Sequence, residues 1–219
     1  MLPAGEPKFR RRKADRPGEI VGAALDVFAE KGFAAARLDE IAVRAGVSKG
    51  AIYLYFATKE EIFRAVVEQA IAPNLQVFRA RLAAHPGPFP ELARTMIAGI
   101  AAVVAETRAG EVAKMVIAEA RNFPELARVW HDELASQALE AVAGAIRAAQ
   151  DRGEVRPGDP RAYALQLVAP LLVGVIWRET FVPIGAKPFD FAALAQQHAE
   201  TLLNGLATPG AGRARETAA

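Results

Sequence analysis

Alanine is the feature that most restricts this chain: 48 of its 219 residues are Ala, and they occur along almost the whole length. Ala is the strongest helix former, whereas strands need runs of β-branched and aromatic residues in alternation, and such runs are scarce here. The expected fold class is therefore all-α. Gly and Pro, present 17 and 14 times, act as punctuation and divide the chain into about nine helices.

The first predicted helix, Arg16 to Lys31, places Ile20, Ala24, Val27 and Phe28 on one face and stops at Gly32. Two short helices follow, Leu38 to Ala45 and Lys49 to Tyr55. A fourth starts after Thr58, because Thr58 and Glu61 form a capping-box pair, and it runs to His85 with a kink expected at Pro73. Helices over Glu91–Thr107, Glu111–Ala120 and Pro124–Asp151 come next. Asp159-Pro160 opens an apolar helix to Phe181 with a bend expected at Pro170, and Phe189–Leu206 closes the series.

The formal charge of +2 is unevenly placed. Residues 1–60 hold 11 Lys+Arg against 8 Asp+Glu, and residues 61–219 hold 16 against 17. Much of the excess lies in Lys8, Arg10, Arg11, Arg12 and Lys13, a basic arm that either tracks phosphates or keeps a terminus solvated. No apolar region follows it, so it does not read as a secretory signal, and a cytoplasmic protein is expected. The longest apolar run, Leu167 to Trp177, is shorter than the ~20 residues of a membrane helix, so no membrane partner is expected.

Leu38 to Tyr55, LDEIAVRAGVSKGAIYLY, fits a helix-turn-helix. Ala42 is small where two helices meet, Gly46 falls where the turn needs positive φ, and Ile52 is apolar where the second helix packs back. Ser48 can cap that second helix, whose first turn, Lys49-Gly50-Ala51, offers amides and a cation to a phosphate. These three positions alone are met equally well by an ordinary helical hairpin.

The surroundings extend the pattern. AALDVFAEKGF, LDEIAVRAGVSKGAIYLYF and TKEEIFRAVV, in that order from Ile20 to Val67, resemble the TetR/AcrR family of bacterial transcriptional regulators. The resemblance implies a homodimer of all-helical subunits with an N-terminal DNA-binding domain, a connecting fourth helix and a C-terminal ligand-binding and dimerisation domain. The corresponding division is a flexible basic arm at 1–15, a DNA-binding domain at 16–58, a ligand and dimer domain at 59–207 and a frayed tail at 208–219. Its partners would be a double-stranded DNA operator and a small-molecule effector, with no cofactor and no metal, and its action that of a repressor released by the effector.

Position by position, the resemblance puts Lys49, Gly50 and Ala51 at the major-groove end of the recognition helix. Tyr53 and Tyr55 would use their hydroxyls on phosphate or base edges, and Leu54 would reach a thymine methyl. Lys59 matches the family's phosphate-contacting Lys, and Ser48 and Arg44 are further backbone contacts. Ala51 and Arg37 depart from the Thr or Ser common in the family; Arg37 is either a direct phosphate contact or a solvated helix-entry residue.

Met115 to Glu133, MVIAEARNFPELARVWHDE, is similar to C-terminal domains of the AcrR/AefR-like branch and names no ligand. The candidate effector contacts are Met96, Met115, Arg121 and Asn122, with Trp130, His131, Gln166 and Trp177, since a mostly apolar site with a few polar groups is the usual build. Each also fits a core or surface role. The last two helices are the dimerisation candidates, through Leu165, Val168, Leu172, Val175 and Ile176 on one and Leu194, His198 and Leu202 on the other. An internal core helix is the alternative.

An enzyme is disfavoured by inventory. Cys is absent, the two Ser (Ser48 and Ser136) lack a nucleophile-elbow setting, and His85, His131 and His198 show no zinc spacing. A helical scaffold or small-molecule-binding protein without sequence-specific DNA binding is the remaining alternative.

Overall fold

The computed structural model describes residues 16–206 apart from Pro86. The expectations for a basic arm and a frayed tail fall outside the described residues. Among the described residues the chain is all-α, and its helical stretches join into nine helices where π turns continue an α-helix.

Helix α1, Arg16–Ala35, buries Ile20, Ala24, Val27 and Phe28 completely or nearly so. Its regular path breaks at Gly32, whose φ of 79° and ψ of 169° suit only a residue without Cβ. Helices α2, Leu38–Arg44, and α3, Lys49–Tyr53, meet across Gly46 at φ 66°. The Val47 amide donates to the Ala42 carbonyl (3.0 Å), and Ala42 and Ile52 are buried between the helices. Helix α3 ends two residues earlier than the sequence suggested, because the Tyr55 and Phe56 amides both turn back onto the Ile52 carbonyl (2.9 Å each).

Helix α4 spans residues 59–84 as Lys59–Val66, a π turn at Val67–Ile71, and Ala72–Ala84. The Thr58 hydroxyl accepts from the Glu61 amide (3.1 Å), the first half of the expected capping box, while the Glu61 carboxylate accepts from the Ala57 amide (2.7 Å), one residue before the Thr58 amide that a capping box engages. The irregularity expected at Pro73 is the π turn just before it. A proline lacks the N–H that would bond back to the preceding turn, so the helix rewinds there.

Helices α5, Phe89–Glu106, and α6, Ala109–Glu119, are joined by Thr107 and Arg108. Helix α7 covers residues 124–151 with a π turn at His131–Ala135, and α8 covers 160–181 with one at Trp177–Phe181. Helix α8 continues as α-helix through Pro170, so its departure from regularity is at Trp177 rather than at the proline. Asp159 caps α8 by accepting from the Arg161 amide (2.9 Å), and Asp190 caps α9, Phe191–Leu206, through the amides of Ala192 and Ala193.

Two cores result. The first joins α1 to α4 with α6 and the start of α7: Phe28, Phe33 and Phe63 stack against one another and pack with Val112, Val116, Leu126 and Val129. The second lies between α5, the later part of α7, α8 and α9, around Phe89, Met96, Ile146, Leu167 and Leu171.

Helix α8 holds more apolar surface than its own subunit covers. The stretch Pro160–Ile184 is long and apolar enough to cross a bilayer by length and composition, with mean hydropathy 1.6, yet only 22% of that window is buried. The Leu167–Trp177 run understated it, because the helix carries the apolar stretch past Gln166 and Arg178. Leu165 is 60% exposed and Leu172 38%; Val168, Ile176, Leu194, His198 and Leu202 are half-buried. Val175 departs from the expected set, since it is 1% exposed with a methyl close to Gly110, inside the subunit.

Candidate nucleic-acid interface

The recognition segment is built by local rules. Ser48 accepts a hydrogen bond from the Ala51 amide (3.2 Å) and fixes the first turn of α3, while Ile52 anchors the helix from beneath. The opposite side faces solvent: Tyr53 is 52% exposed, Leu54 80% and Tyr55 37%, with Lys49 and Gly50 exposed at the N-terminal end and Ala51 half-buried. Val43 on α2, three residues before Gly46, is also 82% exposed, and an apolar side chain there is not accounted for by the core.

The cations expected to meet phosphate are mostly held within the domain. Lys49 Nζ lies 2.8 Å from Asp39 Oδ1, and Arg37 Nη2 lies 3.6 Å from the other carboxylate oxygen. The hydrogen bond from Lys49 and the positive charges of Lys49 and Arg37 hold Asp39 below its ordinary pKa, and Asp39 raises Lys49 in turn. Arg44 forms two parallel bonds to Glu30 (2.7 and 2.8 Å), and Lys31 pairs with Glu40 (2.7 Å). Arg44 is therefore engaged across α1 and α2 rather than presented as a free cation.

Lys59 is less exposed than Arg37, Arg44 and Lys49. Its ammonium donates to the carbonyls of Phe33, Ala34 and Ala36 (2.6, 3.3 and 3.1 Å) and lies over the Phe33 ring, 4.4 Å from its centroid. All three ammonium hydrogens are engaged at the connector after α1, where unsatisfied helix-end carbonyls attract a cation. Desolvation at this site holds its pKa below the ordinary lysine value. The same connector is held from the other side: the Ala34 amide donates to Glu119 Oε1 on α6 (3.0 Å), and Phe33 packs edge-on against Phe123. Arg108, between α5 and α6, adds a bond to Asp26 on α1 (2.7 Å).

The eight candidate effector residues are not brought together. Met96 is buried in the second core and Met115 in the first, where Trp130 also packs. Arg121, Asn122 and Gln166 are exposed, and His131 is exposed with Nδ1 2.7 Å from Asp132. Trp177 stacks with Phe181 and Phe189 and donates to the Lys187 carbonyl. A groove of ≈560 Å³ lies elsewhere, between α5 and α9, lined by Ile97, Ala101, Ala105, Phe191 and Ala195 and closed at one end by the Arg94–Glu200 pair (2.7 Å). Alanines recurring three and four residues apart on both helices are its sequence signal; helix propensity alone hides it.

Comparison with known proteins gives two family matches. The family described as bacterial regulatory proteins, tetR family, matches residues 20–66, and the tetracyclin repressor-like C-terminal domain matches residues 93–187. Over 209 residues the chain is 28% identical to the transcriptional repressor BepR of Brucella suis biovar 1, covering 92% of this chain and 98% of that one. Among solved structures, a TetR-family regulator from Mesorhizobium loti aligns with a TM-score of 0.74 at 23% identity, covering 91% of this chain and 100% of that one. The regulator FadR of Bacillus subtilis, solved with stearoyl-CoA, aligns at 0.71 and 22% identity, covering 86% and 98%.

Proposed function

From the premise that the chain belongs to the TetR family and is a DNA-binding transcriptional regulator, we propose that it acts in the cytoplasm as a homodimeric repressor released from its operator by a small molecule. The observation that carries this reading is the outer side of α3 and the turn that follows it. Tyr53, Leu54 and Tyr55 have no core to fill, and the Ser48 cap holds α3 in a fixed pose, as reading base edges and thymine methyls requires.

Dimerisation is supported by the exposed apolar side of α8. A second copy meeting it through Leu165 and Leu172, with α9 alongside, makes a two-fold contact between identical surfaces. It also sets two recognition helices at a fixed separation. The effector is proposed to bind in the C-terminal half, where the groove between α5 and α9 falls within the volume range of small-molecule sites; the solved FadR complex with stearoyl-CoA supports a ligand-responsive reading.

The route between the ends runs through the α1–α2 connector. Lys59 holds it from α4 and Glu119 from α6, so a ligand that shifts either helix displaces the base of the recognition unit. Such a ligand acts only as far as it prefers one separation of the recognition helices over the other. The test is a titration of duplex DNA from upstream of the protein's own gene. A salt-sensitive, sequence-selective shift is expected, and binding that ignores sequence at every salt concentration overturns the reading.

A further inference from the structure

We propose that Asp39 is an internal competitor for DNA phosphate, which lowers affinity for unrelated sequence and so sharpens operator selection. The inference rests on the DNA-binding reading above. Asp39 stands in the first turn of α2 and Lys49 in the first turn of α3, so the two helix N-termini converge on one carboxylate. Asp39 Oδ1 takes Lys49 at 2.8 Å and Oδ2 faces Arg37 at 3.6 Å. Lys49 opens the recognition helix and Arg37 immediately precedes α2, and a carboxylate presents both with the same two-oxygen edge that a phosphate presents.

All three side chains are about half-exposed or more, so the pairs exchange with solvent anions rather than being locked in a core. Charge bookkeeping gives the arrangement its effect. Residues 16–60 hold six Lys+Arg and six Asp+Glu, so this segment is neutral overall. Non-specific affinity comes almost entirely from cations that displace counterions from the phosphate backbone. An arrangement that keeps Lys49 and Arg37 on Asp39 withholds them from an arbitrary duplex. Where Tyr53, Leu54 and Ala51 also find matching base edges, the added contacts favour the docked state and Lys49 transfers from Asp39 to phosphate.

The experiment measures binding of the full chain to two fluorescent duplexes, one from upstream of its gene and one of scrambled sequence, across a salt series. Asp39→Asn keeps the size of the side chain and removes the charge. The expected result is roughly threefold or more tighter binding to the scrambled duplex, a salt slope steeper by about one to two, and a smaller ratio between the duplexes. In the Lys49→Gln background the same substitution is expected to change binding to the scrambled duplex much less.

Unchanged affinity and slope in a folded Asp39→Asn protein overturn the proposal. A gain that persists in full with Lys49→Gln overturns it too, because Asp39 then acts by general repulsion of the duplex rather than by holding Lys49. If the wild-type chain binds neither duplex at low salt, the DNA-binding reading fails first and this inference with it.

Discussion

Around α1 to α4 the apolar side chains are consumed inside the subunit, with Phe28, Phe33, Phe63, Ile41, Ile52 and Ile62 all fully buried, whereas along α8 the apolar side chains exceed what the subunit can cover. The first region exposes hydrophobic groups at a few places only, chiefly Val43 and the outer side of α3. The second leaves Leu165, Leu172 and Val173 exposed along one long helix. The contrast teaches where to look for partners: in the first region an exposed apolar residue marks a contact point, and in the second a whole helix side does.

The sharpest way to test that contrast uses the two tryptophans. Trp130 packs against the first core, while Trp177 stacks with Phe181 and Phe189 beyond the second, so single-Trp versions made with the other Trp→Phe report each region separately. Phe63→Ala is expected to cost about 3–5 kcal/mol in the first core. The Trp130 denaturation midpoint then falls well before that of Trp177. Coincident transitions would show that the two cores melt as one unit.

The next effect falls on assembly. Leu165→Glu with Leu172→Glu places charge on the exposed side of α8 and is expected to weaken the dimer by about 3 kcal/mol or more. Analytical ultracentrifugation should find monomers with an unchanged unfolding midpoint at low concentration. A dimer that survives both substitutions moves the interface away from this surface.

Lys59→Met keeps the aliphatic stem and removes three donated hydrogen bonds. It is expected to cost about 1–3 kcal/mol of stability, read from chemical denaturation, with the salt slope of DNA binding unaltered. A slope lower by about one would instead return Lys59 to the phosphate backbone.

The smallest effect is acid sensitivity. Glu30, Asp39 and Glu40 have pKa values held below the ordinary carboxylate range by Arg44, Lys49 and Lys31 respectively, while α9 has Glu200 lowered by Arg94. For a lowered carboxylate, the stabilisation is full above its unfolded-state pKa of about 4 and fades as pH falls through the lower folded value. Amide resonances beside these pairs, on α1 to α3 and at Arg94 and Glu200 on α5 and α9, should therefore shift on titration below about pH 4 before those of α6, which carries none of the four. A uniform shift of all helices at one pH would mean that these exposed pairs contribute nothing to acid sensitivity.

Much of the fold was legible because its signals are local. Gly46, the Thr58–Glu61 pair and Asp159-Pro160 each act within a turn and mark a helix end in the structure, while Gly32 breaks the path of α1, which resumes for three residues to Ala35. The C-terminal end of α3 and the course of α8 through Pro170 were less legible, since neither is marked by a glycine, a cap or the proline itself. The interface cations were the least legible. Sequence shows that Lys59 is positive but not that three carbonyls 23 to 26 residues earlier converge on it, and the partners of Arg44 and Lys49 belong to other helices. The effector candidates lie apart for the same reason: residue type, whether apolar as at Met96 and Met115 or polar as at Arg121 and Gln166, does not say which side of a helix faces a cavity.

The first core has a consequence for anyone wishing to transplant this molecule's DNA-reading end onto a different sensor. A cut after Phe56 or Thr58 looks natural by chain order, yet it would strip Phe28 and Phe33 of Phe63 and Val66 on α4 and of their neighbours on α6 and α7. The transferable module is discontinuous, made of residues 16–71 together with 109–134. A chimera that carries both segments should remain soluble, and one that carries only the first would expose a greasy seam to every other copy in the cell.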